Sequence, residues 1–161
     1  MKATELLSRQ HREVEKLFAR IDGGKGDARA LGEEIAKKLL AHMIIEQVHF
    51  YPATTSLDED LVLEAYEEHA VARFEIRRML DAEEGRFAAR ATTLKELIEH
   101  HVKEEEDELF PKVEKELGAE TLKTLGATME ALFDTLVAQD LKVLLERSRR
   151  TGEEGAGTAA A

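Results

Sequence analysis

Apolar residues recur at intervals of three and four along almost the whole chain, a period that admits helices and little else. The pattern predicts a first helix over residues 4–21, with Leu7, Val14, Phe18 and Ile21 on one stripe. Asp22-Gly23-Gly24-Lys25-Gly26-Asp27 breaks it, since glycines end helices cheaply and accept left-handed turns. A second helix over 28–50 carries Ile35, Leu39 and Ile45 inward and approaches its end near Pro52. Thr55, Ser56 and Asp58 offer N-caps for a third over 59–82, with Val62, Ala65, Ile76 and Leu80 facing in. Gly85 marks a turn, and a fourth helix over 87–109 uses Leu94, Ile98 and Leu109 before Pro111 bends or restarts it. A last helical region covers 119–146. The expected fold is therefore all-α: an antiparallel up-down four-helix bundle with an additional C-terminal helix, spanning residues 1–148. Residues 149–161, glycine-rich and without an apolar face, are expected to be a disordered tail.

Within that bundle two stretches align without a gap, AHMIIEQVHFYP (41–52) and HHVKEEEDELFP (100–111). His42 matches His101, Glu46 matches Glu105 and Pro52 matches Pro111, with Phe50 and Phe110 one position out of register. Each stretch is preceded by one more histidine, His11 lying 31 residues before His42 and His69 lying 32 before His101. The chain thus reads as two half-bundles, each supplying His…His-x-x-x-Glu, the mark of an internal duplication. Residues four apart lie on one helix face, with Cβ atoms about 5–6 Å apart. An imidazole and a carboxylate at that spacing converge on one metal ion or on two adjacent ones.

Each of the four histidines falls where its helix stripe requires an inward residue. A lone histidine on an apolar face is most often a hydrogen-bonded core residue. Four in register, two with a glutamate one turn on, point instead to metal binding. Unpaired, so many buried polar groups would cost several kcal/mol. Imidazole suits iron, zinc, copper or nickel, and carboxylates bridge hard ions, so the mixed set favours a di-iron or di-manganese centre. His100 with Glu104 has the same spacing as His101 with Glu105, but the proline-anchored alignment and the Leu94/Ile98 stripe favour His101. In the acidic run Glu104–Glu108 only Glu105, with Glu108, can face inward. His49, two turns beyond His42, reads as a residue behind the ligands or lining a channel; Tyr66 reads as core or as a hydrogen-bond partner near the centre. Tyr51 reads as a helix-end residue, and Phe18, Phe50, Phe74 and Phe110 as core.

Composition narrows the chemistry further. The chain has 161 residues and no cysteine, which excludes disulfides, thiolate metal sites and a cysteine nucleophile. With 34 acidic against 23 basic residues, a net charge of −11 argues against a nucleic-acid partner. The charged start MKATELLSRQ offers no apolar stretch of a secretory signal, and no segment approaches the length of a membrane span. A cytoplasmic protein without a membrane partner is the expectation.

The sequence resembles the hemerythrin-like (HHE cation-binding) domain family, bacterial type, over roughly residues 5–140. The resemblance rests on His11, His42-x-x-x-Glu46, His69, His101-x-x-x-Glu105, the EDELFP run (106–111) and the segment LGAETLKTLGATMEAL (117–132). It implies two non-haem iron ions with an oxo or hydroxo bridge. In that picture His11 and His42 bind one iron, His69 and His101 bind the other, and Glu46 and Glu105 bridge both. Oxygen-carrying hemerythrins place a further histidine where this chain has Arg73, and close with an aspartate at the spacing of Glu106. The missing imidazole implies a more open coordination position. The functions implied are binding of oxygen, nitric oxide or reactive oxygen species, for sensing, storage or stress defence. A di-iron enzyme consuming peroxide with an external reductant, or labile-iron storage and donation, is the alternative.

Overall fold

Helices build the chain described by a computed structural model over residues 1–159, and no strand occurs among those residues. Four long helices form a closed ring of neighbours: α1 (Ala3–Asp22), α2 (Ala28–Ile45), α4 (Glu59–Leu80) and α5 (Phe87–Glu104). Within it α1 packs on α2, α2 on α4, α4 on α5 and α5 back on α1. The breaks fall where the sequence places them. Gly24 and Gly26 take φ of +61° and +98° between α1 and α2, a region glycine enters without a Cβ clash. Asp27 caps α2 by accepting from Arg29 N (2.8 Å) and Ala30 N (3.1 Å), and Asp58 caps α4 through Leu61 N at 3.2 Å.

Pro52 does not end its helix, and Pro111 stands at the restart that the sequence predicts. α2 runs into a π-helical turn, Glu46–Phe50, and then into α3 (Tyr51–Thr54); α5 runs into a second, Glu105–Leu109, and then α6 (Phe110–Leu117). Tyr51 N–H donates to Glu46 C=O and Phe110 N–H to Glu105 C=O, five residues back. A proline in an ordinary helix strikes the carbonyl four residues before it. The wider turn ahead of Pro52 and Pro111 gives that ring room and carries the helix on. The duplication thus extends to the backbone: each π turn begins on the matching glutamate.

Where one C-terminal helix was expected, two are present. α7 (Ala119–Val137) lies on α1 and α2, and α8 (Leu141–Ala159) on α2 and α4. The break between them contains neither glycine nor proline; Asp140 makes it by accepting from Lys142 N at 2.8 Å. Residues 149–159, expected as part of a disordered tail, continue α8, and residues 160 and 161 lie outside the described chain. Gly152 sits against the Arg73 guanidinium and Gly155 against the Tyr66 ring, so small residues seat α8 on α4. Phe74 departs from expectation too. It is 60% exposed on α4, with Arg78 over its ring, whereas Phe18, Phe50 and Phe110 are buried.

Candidate metal centre

The four predicted histidines meet in the middle of the helix ring, each at most 5% exposed. His11 comes from α1, His42 from α2, His69 from α4 and His101 from α5. Their Nε2 atoms turn inward in two pairs, His11 to His42 at 3.2 Å and His69 to His101 at 3.1 Å. Glu46 joins the pairs: Oε1 lies 3.1 Å from His42 Nε2, and Oε2 lies 3.4 Å from His69 Nε2. Glu105 does the same from the other side, with Oε2 at 3.5 Å from His11 Nε2 and 3.7 Å from His101 Nε2. Despite these approaches, neither oxygen of Glu46, nor Oε2 of Glu105, has a hydrogen-bond partner. Buried carboxylate oxygens are rarely left so. His11, His42, Glu46 and Glu105 form one group able to hold an ion, and Glu46, His69 and His101 form another.

The outward nitrogen of every imidazole is held as well. His11 Nδ1 meets Glu106 at 2.8 Å, and Arg12 grips both oxygens of that carboxylate. His42 Nδ1 donates to Gln10 Oε1 at 2.8 Å, and His101 Nδ1 to Glu68 Oε2 at 2.6 Å. His69 Nδ1 lies 3.0 Å from the Gln47 amide, which also meets the Thr151 hydroxyl of α8 at 2.6 Å. The amide nitrogen faces Nδ1 and its oxygen accepts from Thr151; exchanging the two keeps a donor and an acceptor in both contacts and puts a proton on Nδ1. Each Nε2 then presents a lone pair to the centre, the tautomer a metal requires.

Without a metal, protons stand in for it. Burial disfavours a charged His11, but the carboxylates of Glu105 and Glu106 beside it outweigh it and raise its pKa to about 9. At His101 burial is likewise outweighed, by the charge of Glu105 and the hydrogen bond with Glu68, again to about 9. His42 and His69 stay well below the ordinary value, through burial and through the neighbouring His11 and His101. Burial and the negative charge of Glu105 push Glu46 far up. Burial acts the same way on Glu105, yet His101 and His11 hold its carboxyl low.

The sequence reading missed one residue inside the cluster and several around it. The Tyr51 hydroxyl donates to Glu105 Oε1 at 2.9 Å and lies 3.2 Å from His69 Nε2. Tyr66, the tyrosine singled out instead, packs its ring on Tyr51 with centroids 5.2 Å apart. The Arg73 guanidinium lies against Gly152, and the Tyr51 phenol stands beside His69. His49 is partly exposed and faces α7, because the π turn rotates it off the His42 face. His100 is on the surface. Gln10, Gln47, Glu68 and Glu106 carried no motif; the available signal was their place one residue from His11, Glu46, His69 and Glu105. A small cavity of ≈ 20 Å³ opens beside the cluster, lined by Val14, Leu39, Met43, Ile98 and Val102.

Comparison with known proteins agrees with this geometry. The family model for the hemerythrin HHE cation binding domain matches residues 2–113. The fold is similar to the crystal structure of a hemerythrin HHE cation binding domain-containing protein from Mycobacterium kansasii. The TM-score is 0.77 at 23% identity, covering 92% of this chain and 99% of that one. Among curated proteins the sequence has no significant match. No described helix is long and apolar enough to cross a membrane.

Proposed function

Because the chain belongs to the hemerythrin HHE cation-binding domain family, we propose that the buried cluster holds two non-haem iron ions and binds oxygen, nitric oxide or a reactive oxygen species. His11 and His42 are the imidazole ligands of one ion and His69 and His101 those of the other, with Glu46 and Glu105 bridging. The observation that carries this reading is the convergence of four Nε2 atoms on carboxylate oxygens that lack any other partner. Iron in such a nitrogen and oxygen shell supplies open coordination positions and electrons for binding or reducing a small molecule. The four long helices, in an up-and-down arrangement, bring two ligands from each half of the duplication to one depth.

The chain's own groups define what can reach such a centre. The neighbouring cavity is apolar and about the size of one water. It admits a diatomic molecule or peroxide and excludes an organic substrate. The Tyr51 hydroxyl is a hydrogen-bond donor at the edge of the cluster, and burial together with Glu105 and Glu46 keeps it protonated. Glu68 and Glu106 fix the rings of His101 and His11, so the ligands need no rearrangement on metal uptake.

Metal analysis of protein loaded under reducing conditions tests the reading, with about two irons per chain expected. Less than about half an equivalent after reconstitution would sink it. Optical spectra after oxygen, nitric oxide or peroxide addition to the reduced protein then identify the ligand. A persistent spectral change marks binding, and repeated peroxide consumption marks turnover.

A further inference from the structure

The run His100–Glu105 carries the imidazole–carboxylate spacing twice, offset by one residue. His101 and Glu105 face the core. The offset turns His100 and Glu104 about 100° around α5, to a face where the His100 side chain is 60% exposed. Glu68 of α4 completes a group there, with His100 Nε2 lying 3.5 Å from Glu68 Oε1 and 3.3 Å from Glu104 Oε1. The donor atoms of all three lie within 4.8 Å of one another. The two His100 separations, 3.3 and 3.5 Å, are those of donors each about 2.0–2.2 Å from one ion.

This group adjoins the buried cluster. Glu68 uses Oε1 toward His100 and Oε2 toward His101 Nδ1, so one carboxylate belongs to both. A narrow recess lies between them, lined by Glu68, His101, Glu104 and Glu105 with Leu61 and Leu109 as walls. Glu105 is 2% exposed and its Oε2 has no hydrogen-bond partner. Glu105, whose Oε2 turns to His11 and His101, thus borders the same recess as Glu68 and Glu104 of the surface group.

We propose that Glu68, His100 and Glu104 form a surface site for a divalent transition-metal ion, from which the buried centre is loaded. One imidazole and two carboxylates leave half of an octahedral ion's shell to water, so the ion is held and exchanged rather than locked in. Transfer is ligand exchange at constant oxidation state: the ion trades water, His100, Glu104 and Glu68 Oε1 for the inner imidazoles and Glu105. The loading role rests on the buried centre being a metal site; capture at the surface does not.

The test uses the whole chain, stripped of metal, with Mn²⁺ binding followed by electron paramagnetic resonance and Fe²⁺ loading followed by stopped-flow absorbance. The variant is His100→Ala with Glu104→Gln; Glu68 is left intact because it orients His101. The wild type should bind one fast-exchanging Mn²⁺ beyond those of the buried centre, and the double variant should lack it. Loading of the buried centre should slow about tenfold in the variant, the lower range for loss of a local charge that concentrates a ligand, with final iron content unchanged. Absence of the extra Mn²⁺ in wild type, or loading of the variant at the wild-type rate, overturns the proposal. If the buried centre takes no metal in either protein, the loading role falls with it. An extra Mn²⁺ lost only in the variant would then still uphold the surface site.

Discussion

Replacing Tyr51 by phenylalanine removes one oxygen from the centre of the molecule and changes little else. The ring is fully buried, packed edge-on to Tyr66 at 5.2 Å and tilted on Phe50 at 6.2 Å, and those contacts survive the substitution. What goes is the hydrogen bond to Glu105 Oε1, 2.9 Å long, with the 3.2 Å contact to His69 Nε2. A bond to a charged acceptor is worth about 1.5–3 kcal/mol. For a chain of this size each kcal/mol moves the melting temperature by about 2–4 °C. The metal-free Tyr51→Phe protein should therefore melt about 3–12 °C below wild type, read by circular dichroism at 222 nm. Tyr66→Phe is the control, since its hydroxyl makes only a 3.4 Å contact with Gln47 C=O. A Tyr51→Phe melting temperature equal to wild type would show that Glu105 is satisfied some other way, and the role given to this phenol would be wrong.

Other expectations follow from the same contacts. Glu46→Ala and Glu105→Ala should lose bound metal, whereas Glu104→Ala should reach the wild-type content; equal loss in all three, by elemental analysis, would mean the wrong helix face was chosen. Gln47→Ala strips His69 Nδ1 of its partner, and metal affinity in chelator competition should fall about 10–100-fold; unchanged affinity refutes the Thr151–Gln47–His69 relay. His11 and His101 keep a proton up to about pH 9 in the metal-free protein. Metal must displace those protons, so apparent affinity should strengthen as pH rises toward 9 and level off above it; a pH-independent affinity contradicts the assignment. Gly126→Ala would set a Cβ 2.5 Å from Met1 C=O and 2.8 Å from Ala3 N, backbone that cannot step aside. It should lower stability by about 1–3 kcal/mol in urea unfolding.

The ring of four helices and the convergence of His11, His42, Glu46, His69, His101 and Glu105 were legible because both depend on periodicity, which the sequence displays directly. Glycines and capping aspartates set the ends of α1, α2 and α4 for equally local reasons. The misses share a different cause. A π turn inserts one residue without any composition of its own, so Tyr51 looked like the end of a helix and His49 looked aligned with His42. Phe74 has the residue type of a core position but lies on the outer side of α4. α8 has few apolar residues, and its helix shows only when Gly152 and Gly155 are seen against Arg73 and Tyr66. Gln10, Gln47, Glu68 and Glu106 act across helices, over 22 to 95 residues of chain, and no spacing rule reports such pairs.

The π turn at Glu46–Phe50 also makes chain length a variable in this helix. Losing one residue there, Val48 for instance, would convert the five-residue hydrogen bond from Tyr51 to Glu46 into an ordinary four-residue one. Everything before the turn, His42 and Glu46 included, would stay in place. Everything after it would stay close to its present place as well, because the same N–H would still meet the same carbonyl one turn on. The phenol would remain at Glu105, and the residue lost would come out of the bulge itself. A deletion, ordinarily ruinous in the middle of a packed helix, becomes here a change of length that the turn absorbs while the centre keeps its imidazoles, its carboxylates and its tyrosine.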